Sequence, residues 1–319
     1  METVHKQYCG IDIFKLIMSV LVICIHVFPL SSYSTSGSFL LSEIISRIAV
    51  PYFFTAAGFL LFSKIPDIGA GNSTIILAYI SRILRLYGTW MLLLFFCDTG
   101  HLWFLGSLAI AVGLAAALRE ARVGHIVIAS LALILFFFGS AFITYPALFE
   151  HISLLRLSGR ILGYMSSAVR NGLVFGFPYV TLGMLFADRS LRIGKKASVL
   201  GSVFFFALLL LEGIYAARLG GALDNTMFFS LIPLTAFLFA LSLNINPAPS
   251  PVYRHIRVCS MMIYYVHMAA FYLVCKLLPS LSNSMLVFLL VLVSSALFAL
   301  LVEKLSQKEK LAFLTLLYR

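Results

Sequence analysis

Residues 11–26 read Ile-Asp-Ile-Phe-Lys-Leu-Ile-Met-Ser-Val-Leu-Val-Ile-Cys-Ile-His, a long apolar run that contains one lysine and one histidine. At about 100° per residue, the eleven steps from Lys15 to His26 make three turns plus roughly 20°, so both side chains share one helix face. The rise between them is about 16.5 Å, roughly half of a bilayer core. Because a cation and an imidazole are costly inside a membrane, this helix face predicts a functional path.

The composition extends this apolar character to the whole chain. The 319 residues are 61% hydrophobic and 11% charged, whereas a soluble domain carries about 25% charged residues. The apolar runs are continuous rather than alternating, which favours an all-α, polytopic membrane bundle over a β-barrel. A net charge of +11 is explained by basic cytoplasmic loops, so no nucleic-acid partner is expected.

Ten transmembrane helices are predicted, and residues 1–319 are interpreted as one membrane domain without a separate soluble domain. The first helix is interpreted as a retained span, because no small-residue cleavage site follows it. The connection 145–170 is expected to hold a short interfacial helix. The predicted spans are 11–30, 41–62, 75–97, 102–118, 125–144, 171–187, 197–217, 227–244, 258–278 and 284–302.

The basic residues predict the orientation of the bundle. With the N-terminus inside, 16 Lys and Arg residues fall on the cytoplasmic side and 5 on the other. This bias predicts that both termini are cytoplasmic. If Arg82 and Arg85 lie at the cytoplasmic surface, the third and fourth spans are short. Merging the two would place the basic segment 189–196 outside, so two short or re-entrant helices are preferred.

Polar pairs within the first two spans are open to two interpretations. Asp12 and Lys15 are three residues apart, within ion-pair reach, and Glu43 and Arg47 are four apart on one face. Lys15 is either a snorkelling lysine that Asp12 steadies or part of the functional path. His26 alone is compatible with a core histidine bonded to a carbonyl. A buried Arg47 is harder to explain structurally, since it requires an anion or a carboxylate.

Further segments carry weaker signals. Arg82-Ile-Leu-Arg85 is either positive-inside anchoring or a phosphate-binding pair. The run Pro51-Tyr-Phe-Phe-Thr-Ala-Ala-Gly58 predicts a freed backbone carbonyl and a close helix approach. His101-Leu-Trp103 opens the fourth span, and Arg170-Asn171-Gly opens the sixth. In the ninth span Ser260, Tyr264 and His267 share a helix face.

Together, in this order, these segments resemble the acyltransferase-3 family of bacterial membrane acyltransferases. The family's first-helix signature is a basic residue, ten intervening residues and a histidine, here Lys15 and His26. Residues 51–59, 82–85, 101–105, 170–173 and 260–267 resemble its later motifs, with Ala57 where the family has serine. Within the family, residues 10–30 and 170–177 are similar to the membrane module of VanT-type membrane-bound serine racemases.

The resemblance implies an acyl-CoA co-substrate, commonly acetyl-CoA, on the cytoplasmic side of a bacterial cytoplasmic membrane. The acceptor is typically a hydroxyl group of a glycan or another envelope molecule. No metal site and no permanently bound cofactor are expected. Family roles, transferred residue by residue, make His26 the catalytic centre with Lys15 and Asp12, place CoA at Arg47, Arg82 and Arg85, and place the acceptor at Trp103, Arg170, Asn171, Tyr264 and His267.

Two features weaken or compete with this assignment. Only 17 residues separate Arg85 from Trp103. Family members usually have a longer stretch here, so the local architecture is expected to differ from theirs. The likeness to serine racemase modules also favours an alternative function, the transport of L-serine or another small amino acid. That alternative predicts a midplane site at broken helices or a repeat interface, and no obvious pair of half-helices is predicted.

Overall fold

The computed structural model describes residues 7–65, 72–149, 151–220, 222, 224–245 and 247–318. Within these ranges all regular structure is helical. The α-helices are α1 Cys9–Val27, α2 Thr35–Phe39, α3 Ala49–Phe62, α4 Asn72–Leu93, α5 Trp103–Glu120, α6 His125–Ile143, α7 Pro146–Phe149, α8 Ser153–Tyr164, α9 Ser167–Asn171, α10 Phe177–Ala187, α11 Lys195–Leu219, α12 Leu231–Asn244, α13 Val252–Leu277 and α14 Ser284–Ser306. A 3₁₀ segment, Glu309–Leu317, follows α14.

The prediction of a polytopic bundle with about ten spans is confirmed. Eight described helices are long and apolar enough to cross a membrane. Two shorter apolar segments complete the set, α12 and the run formed by α9 and α10. The expected interfacial helix in the connection 145–170 is also present, as α8. The cytoplasmic placement of both termini stays a prediction.

Two spans are interrupted by irregular helical turns. Between α2 and α3 the chain makes a π-turn, Leu40–Ile44, and then a 3₁₀ turn, Ile45–Ile48. Between α9 and α10 it makes a second π-turn, Gly172–Gly176. The chain stays helical through these turns, and Thr35–Phe62 is one helix long enough to cross a membrane, so the absence of an obvious pair of half-helices stays a prediction. Periodicity did not show the turns because a π-turn shifts the register of a helix without making it less apolar.

Helices α3 and α10, which follow these turns, pack closely against each other. A Cβ atom at Gly58 would lie 2.4 Å from the Val180 carbonyl oxygen, and one at Gly183 would lie 2.1 Å from the Thr55 carbonyl oxygen. Only glycine permits these two backbones to meet. The Thr55 hydroxyl donates to the Pro51 carbonyl at 3.0 Å. The close helix approach predicted from residues 51–58 is confirmed.

The third and fourth spans are separate, as preferred, but the third is not short. Helix α4 begins at Asn72, ten residues before Arg82, and has 22 residues. Arg82 and Arg85 therefore lie inside the helix, with Arg82 within electrostatic range of Lys15 on α1, and their position at the cytoplasmic surface stays a prediction. The Arg82 guanidinium meets a backbone carbonyl there, at 3.3 Å from Tyr318 O, which lowers the cost of its position.

Helix α1 contacts α3, α12, α13 and α14, so it is surrounded by other spans. Exposed leucines and phenylalanines lie instead on the outer helices, for example Leu200 and Leu211 on α11 and Leu297 on α14. In a membrane these side chains face lipid. The shared face of Lys15 and His26 is thus held inside the bundle.

Candidate active site

Three histidines from three helices meet at one end of α1. His26 belongs to the last turn of α1, His101 to the 3₁₀ turn before α5, and His267 to the middle of α13. Their ring centroids are 5.2 Å apart for His26 and His267, 5.0 Å for His101 and His267, and 6.5 Å for His26 and His101. We refer to His26, His101 and His267 as the histidine cluster.

Backbone carbonyls determine the tautomers of two members of the cluster. His267 Nδ1 lies 2.8 Å from Tyr264 O and 3.1 Å from Ile263 O, so it must donate. His101 Nε2 lies 3.2 Å from Tyr265 O and must also donate. The opposite nitrogens, His267 Nε2 and His101 Nδ1, then carry lone pairs. Both are buried and, among the described residues, have no hydrogen-bond partner.

The local sequence explains why these side chains converge. Helix α1 ends just after His26 because Phe28 adopts a left-handed conformation (φ 53°) and Pro29 follows it. The Tyr264 hydroxyl donates to His101 O at 2.7 Å and ties the start of α5 to α13. Helix α13 continues from His267 to Leu277, about 15 Å further. The cluster therefore lies within the helical layer rather than at its surface.

The predicted acceptor residues divide between the cluster and its surroundings. Tyr264 and His267 are at the cluster. Trp103 is two residues after His101 but packs against Phe54 and Phe175, with ring centroids 6.4 and 6.2 Å away. Within the described residues, Trp103 has no hydrogen bond to the histidines. It forms part of an apolar wall next to them.

The opposite end of α1 is charged. Asp12, whose side chain is 6% exposed, accepts two hydrogen bonds from Arg257, at 3.0 and 2.8 Å. The direct ion pair of Asp12 is thus made with Arg257 on α13, while Lys15 lies within electrostatic range of the same carboxylate. A bidentate arginine on a neighbouring helix competes better for the carboxylate than a lysine on the same helix.

Lys15 lies in this charged region and not at the histidine cluster. It is partly buried, and Asp12, Arg257 and Arg82 lie within electrostatic range of it. Among the described residues of this group, one carboxylate faces three cations, so their summed charge is positive. The eleven helical steps from Lys15 to His26 keep this region about 16.5 Å from the cluster along the helix axis.

The end of the chain packs beside Arg82. Arg82 donates to Tyr318 O at 3.3 Å, and Trp90 Nε1 donates to Leu317 O at 3.0 Å. The Tyr318 ring is buried, and its hydroxyl shares a hydrogen bond with Ser306 at 2.8 Å. Arg85, on the same helix, is exposed. Both predicted phosphate ligands on α4 thus belong to a structured region.

Arg47 lies in a different region from Arg82. Its guanidinium forms the predicted ion pair with Glu43, at 2.5 Å, and a second with Asp224, at 3.2 Å. Asp224 belongs to the loop between α11 and α12, and burial raises the pKa of its carboxyl while Arg47 opposes the shift. The ion-pair partners of Arg47 are thus carboxylates of its own span and of the α11–α12 loop, and its grouping with the α4 arginines at a CoA site stays a prediction. A loop far along the chain supplies its partner.

The loop that carries Asp224 is held in place by buried polar groups. Glu212 on α11 accepts hydrogen bonds from the backbone N–H groups of Phe229 and Ser230, at 2.6 and 2.8 Å, and from the Tyr145 hydroxyl. Thr144 donates to Asp224 O at 3.1 Å. These bonds fix the carboxylate that faces Arg47.

Arg170 and Asn171 lie at the end of α9, next to the second π-turn. Arg170 Nε lies 3.4 Å from the Asn171 side-chain oxygen, and Arg170 acts electrostatically on Asp224. These two predicted acceptor residues are therefore near the Arg47 region. Among the described residues, no group of three or more His, Cys, Asp or Glu side chains could hold a metal ion.

Sequence reasoning missed Arg257 and Asp224 and did not give His101 a role. A signal for Arg257 exists: it lies three residues before Ser260 and ten before His267, on the face that also carries Tyr264. His101 stood at the start of a predicted span, next to a tryptophan typical of interfaces. Asp224 carried no local signal.

Known proteins of similar sequence indicate the family of this chain. The model of the family described as "Acyltransferase domain", acyltransferase-3, matches residues 9–99 and 88–304. Similar proteins include an amino-acid racemase of Enterococcus faecalis, 26% identical over 76% of this chain and 37% of the relative. A second amino-acid racemase of that organism is 24% identical over 95% of this chain and 47% of the relative. No solved structure matches.

A serine/alanine racemase of Enterococcus gallinarum is also similar, at 24% identity over 89% of this chain and 44% of the relative. The chain thus spans less than half the length of the racemases that it matches. The match to the family model, in contrast, extends over most of the chain. The chain belongs to the acyltransferase-3 family of membrane acyltransferases.

Proposed function

We propose that this protein is a membrane-bound O-acyltransferase of the bacterial cytoplasmic membrane. It moves an acyl group, preferably acetyl, from cytoplasmic acyl-CoA to a hydroxyl of an envelope glycan or a similar acceptor. The observation that carries this proposal is the histidine cluster. Among the described residues, His101 and His267 each bury a ring nitrogen that has no hydrogen-bond partner, next to His26. Such nitrogens are costly inside a helical bundle unless they serve chemistry.

The charged end of α1 supports the donor part of the proposal. Lys15, Arg82 and Arg257 share this region with Asp12, the one carboxylate that acts on Lys15 among the described residues, and Arg85 lies one turn beyond Arg82. Arginine pairs suit phosphate groups because the guanidinium presents several donors in fixed geometry. In this proposal the CoA phosphates bind here and the thioester extends along α1 towards His26.

His26 acts as general base in the proposed reaction. Its imidazole takes the proton of the acceptor hydroxyl while the hydroxyl oxygen attacks the thioester carbonyl carbon. The new C–O bond forms, the C–S bond breaks, and the CoA thiolate leaves and takes up the proton. His267 Nε2 carries a lone pair beside His26 and orients it. An alternative within this chemistry is that His26 itself carries the acyl group transiently.

The test uses membranes that contain the full chain and acetyl-CoA labelled in the acetyl group. We expect label to appear in envelope material with the native chain and with His151→Ala, an exposed histidine outside the cluster. With His26→Ala we expect no transfer above a membrane lacking the protein. Full transfer by His26→Ala would contradict the role of His26.

A second candidate function is transport of L-serine or another small amino acid. The interrupted spans favour it, since transporters place substrate at broken helices, and the relatives are named racemases. Proteoliposomes loaded with L-serine test it through exchange with labelled external L-serine. Exchange that needs Arg47 but does not need His26 would favour transport over acyl transfer.

A further inference from the structure

The interfacial helix α8 borders a cavity that the proposed reaction does not use. The cavity has a volume of about 270 Å³ and lies between α8, α7 and the end of α6. Its walls are largely apolar and include Phe142, Pro146 and Phe149. Two arginines, Arg156 and Arg160, also line it. An apolar cavity with two cations at its edge suits a ligand that has an anionic head and a hydrocarbon tail.

Helix α8 is built to lie at a membrane surface. Leu154, Leu157, Ile161 and Tyr164 form one stripe, at offsets of 3, 7 and 10 residues, and are 54–91% exposed. These large apolar side chains would be unfavourable in water but face lipid when the helix lies at the interface. The stripe therefore places α8, and with it the cavity beside α8, at the depth of the membrane interface.

The other faces of α8 pack against α6 and carry two arginines. Gly159 faces α6 so closely that a Cβ atom there would lie 2.8 Å from the Phe142 ring. Arg156 and Arg160 are four residues apart and share a face, and both are exposed. The ion pairs of the described residues leave these two arginines without a carboxylate partner.

The predicted topology makes these two arginines unusual. Basic residues avoid the non-cytoplasmic side, and only 5 of the 23 lie there. Two of those five converge on this single cavity. Arginine pairs bind phosphate well, and the interface supplies phosphate groups attached to acyl chains.

We propose that the cavity binds one phospholipid with an anionic headgroup. The phosphate contacts Arg156 and Arg160, and the first part of one acyl chain enters the cavity beside Phe142 and Phe149. This site is separate from the histidine cluster, and lipid binding does not depend on the proposed acyl transfer. It is therefore measured by bound lipid and not by activity.

The test is native mass spectrometry of the purified full chain with phosphatidylglycerol and, separately, phosphatidylcholine. We expect one phosphatidylglycerol retained per chain and at least about tenfold weaker retention of phosphatidylcholine. The double variant Arg156→Gln/Arg160→Gln should lose this preference. The matched control is Arg218→Gln, an exposed arginine at the end of α11, which should keep it.

A second variant tests the acyl part of the site. Gly163 lines the cavity, and a Cβ atom there would lie 3.8 Å from Phe142, an ordinary contact. Gly163→Leu should fill the space and reduce lipid retention while both arginines remain. Equal retention of the two lipids, or a double variant that behaves like Arg218→Gln, would overturn the proposal. Inorganic phosphate that displaces the lipid completely at millimolar concentration would also overturn it, in favour of a simple anion site.

Discussion

The two ends of α1 hold polar groups inside the bundle in opposite ways. At one end Asp12 is bound by two hydrogen bonds from Arg257, and Lys15 and Arg82 add positive charge. At the other end no described carboxylate forms an ion pair with the histidine cluster, although Asp98 lies within electrostatic range of His26 and His101, and two ring nitrogens have no hydrogen-bond partner. The charged end is suited to hold an anion, and the cluster is suited to move a proton. We therefore expect mutations in the histidine cluster to change the rate of acyl transfer, and mutations at the charged end to change the affinity for acetyl-CoA.

The largest effect is expected for His26→Ala in the purified protein. The rate of acyl transfer should fall about 100- to 10,000-fold, the usual contribution of a general base. The affinity for acetyl-CoA should not change, because the donor's phosphates bind at the far end of α1. The measurement is a rate at saturating acetyl-CoA together with a calorimetric Kd. A loss of affinity of the same size as the loss of rate would show that the two ends of α1 do not separate donor binding from proton transfer.

The converse is expected for Arg82→Gln. Removing one charge-assisted contact should weaken acetyl-CoA binding about 10- to 100-fold, while the rate at saturation stays close to that of the native chain. Arg192→Gln, an exposed arginine in the loop before α11, is the matched control and should keep native affinity. If both variants bind acetyl-CoA equally well, α4 does not hold the donor.

Asp12→Asn tests whether the charged end is structural as well. The amide cannot accept both hydrogen bonds as a carboxylate does, so we expect a loss of about 1.5–3 kcal/mol in stability. Thermal unfolding in detergent measures it. Glu309→Gln changes an exposed carboxylate and should leave the unfolding temperature unchanged. An unfolding temperature for Asp12→Asn equal to that of Glu309→Gln would show that the pair contributes no stability.

A smaller effect is expected at His267, where substitution by Asn and by Gln tests the two ring nitrogens one at a time. Asn places an N–H donor near the position of Nδ1 but has no atom at Nε2, whereas Gln places an acceptor near Nε2. If the lone pair on Nε2 orients His26, His267→Asn should lose about tenfold in rate and His267→Gln less. The opposite order would assign His267 a purely structural role.

Much of the architecture could be predicted because it follows from local patterns. Continuous apolar runs specified the spans, and the spacing of Glu43 and Arg47 specified their ion pair. Gly58 indicated the close approach of two helices, although not that Gly183 on α10 would be its counterpart. The π-turns at Leu40–Ile44 and Gly172–Gly176 could not be predicted, because they change register and leave composition the same.

The candidate site was less predictable because its partners come from distant parts of the chain. The facing of Lys15 and His26 followed from helix geometry. The meeting of His26 with His101 and His267 depends on how α1, α5 and α13 pack, which no spacing within one helix determines. For the same reason helix spacing places Asp12 near Lys15 but does not indicate its direct ion pair with Arg257 on α13. Arg47 keeps the ion pair with Glu43 that spacing predicts and has a second, long-range partner in Asp224.

If the proposed function holds, the charged end of α1 binds a CoA thioester and not a free amino acid. Calorimetric titration of the purified full chain, with acetyl-CoA and separately with L-serine, distinguishes these two ligands. We expect saturable binding of acetyl-CoA that Arg82→Gln weakens, and no heat of binding with L-serine. Saturable binding of L-serine together with no binding of acetyl-CoA would refute the proposed donor site.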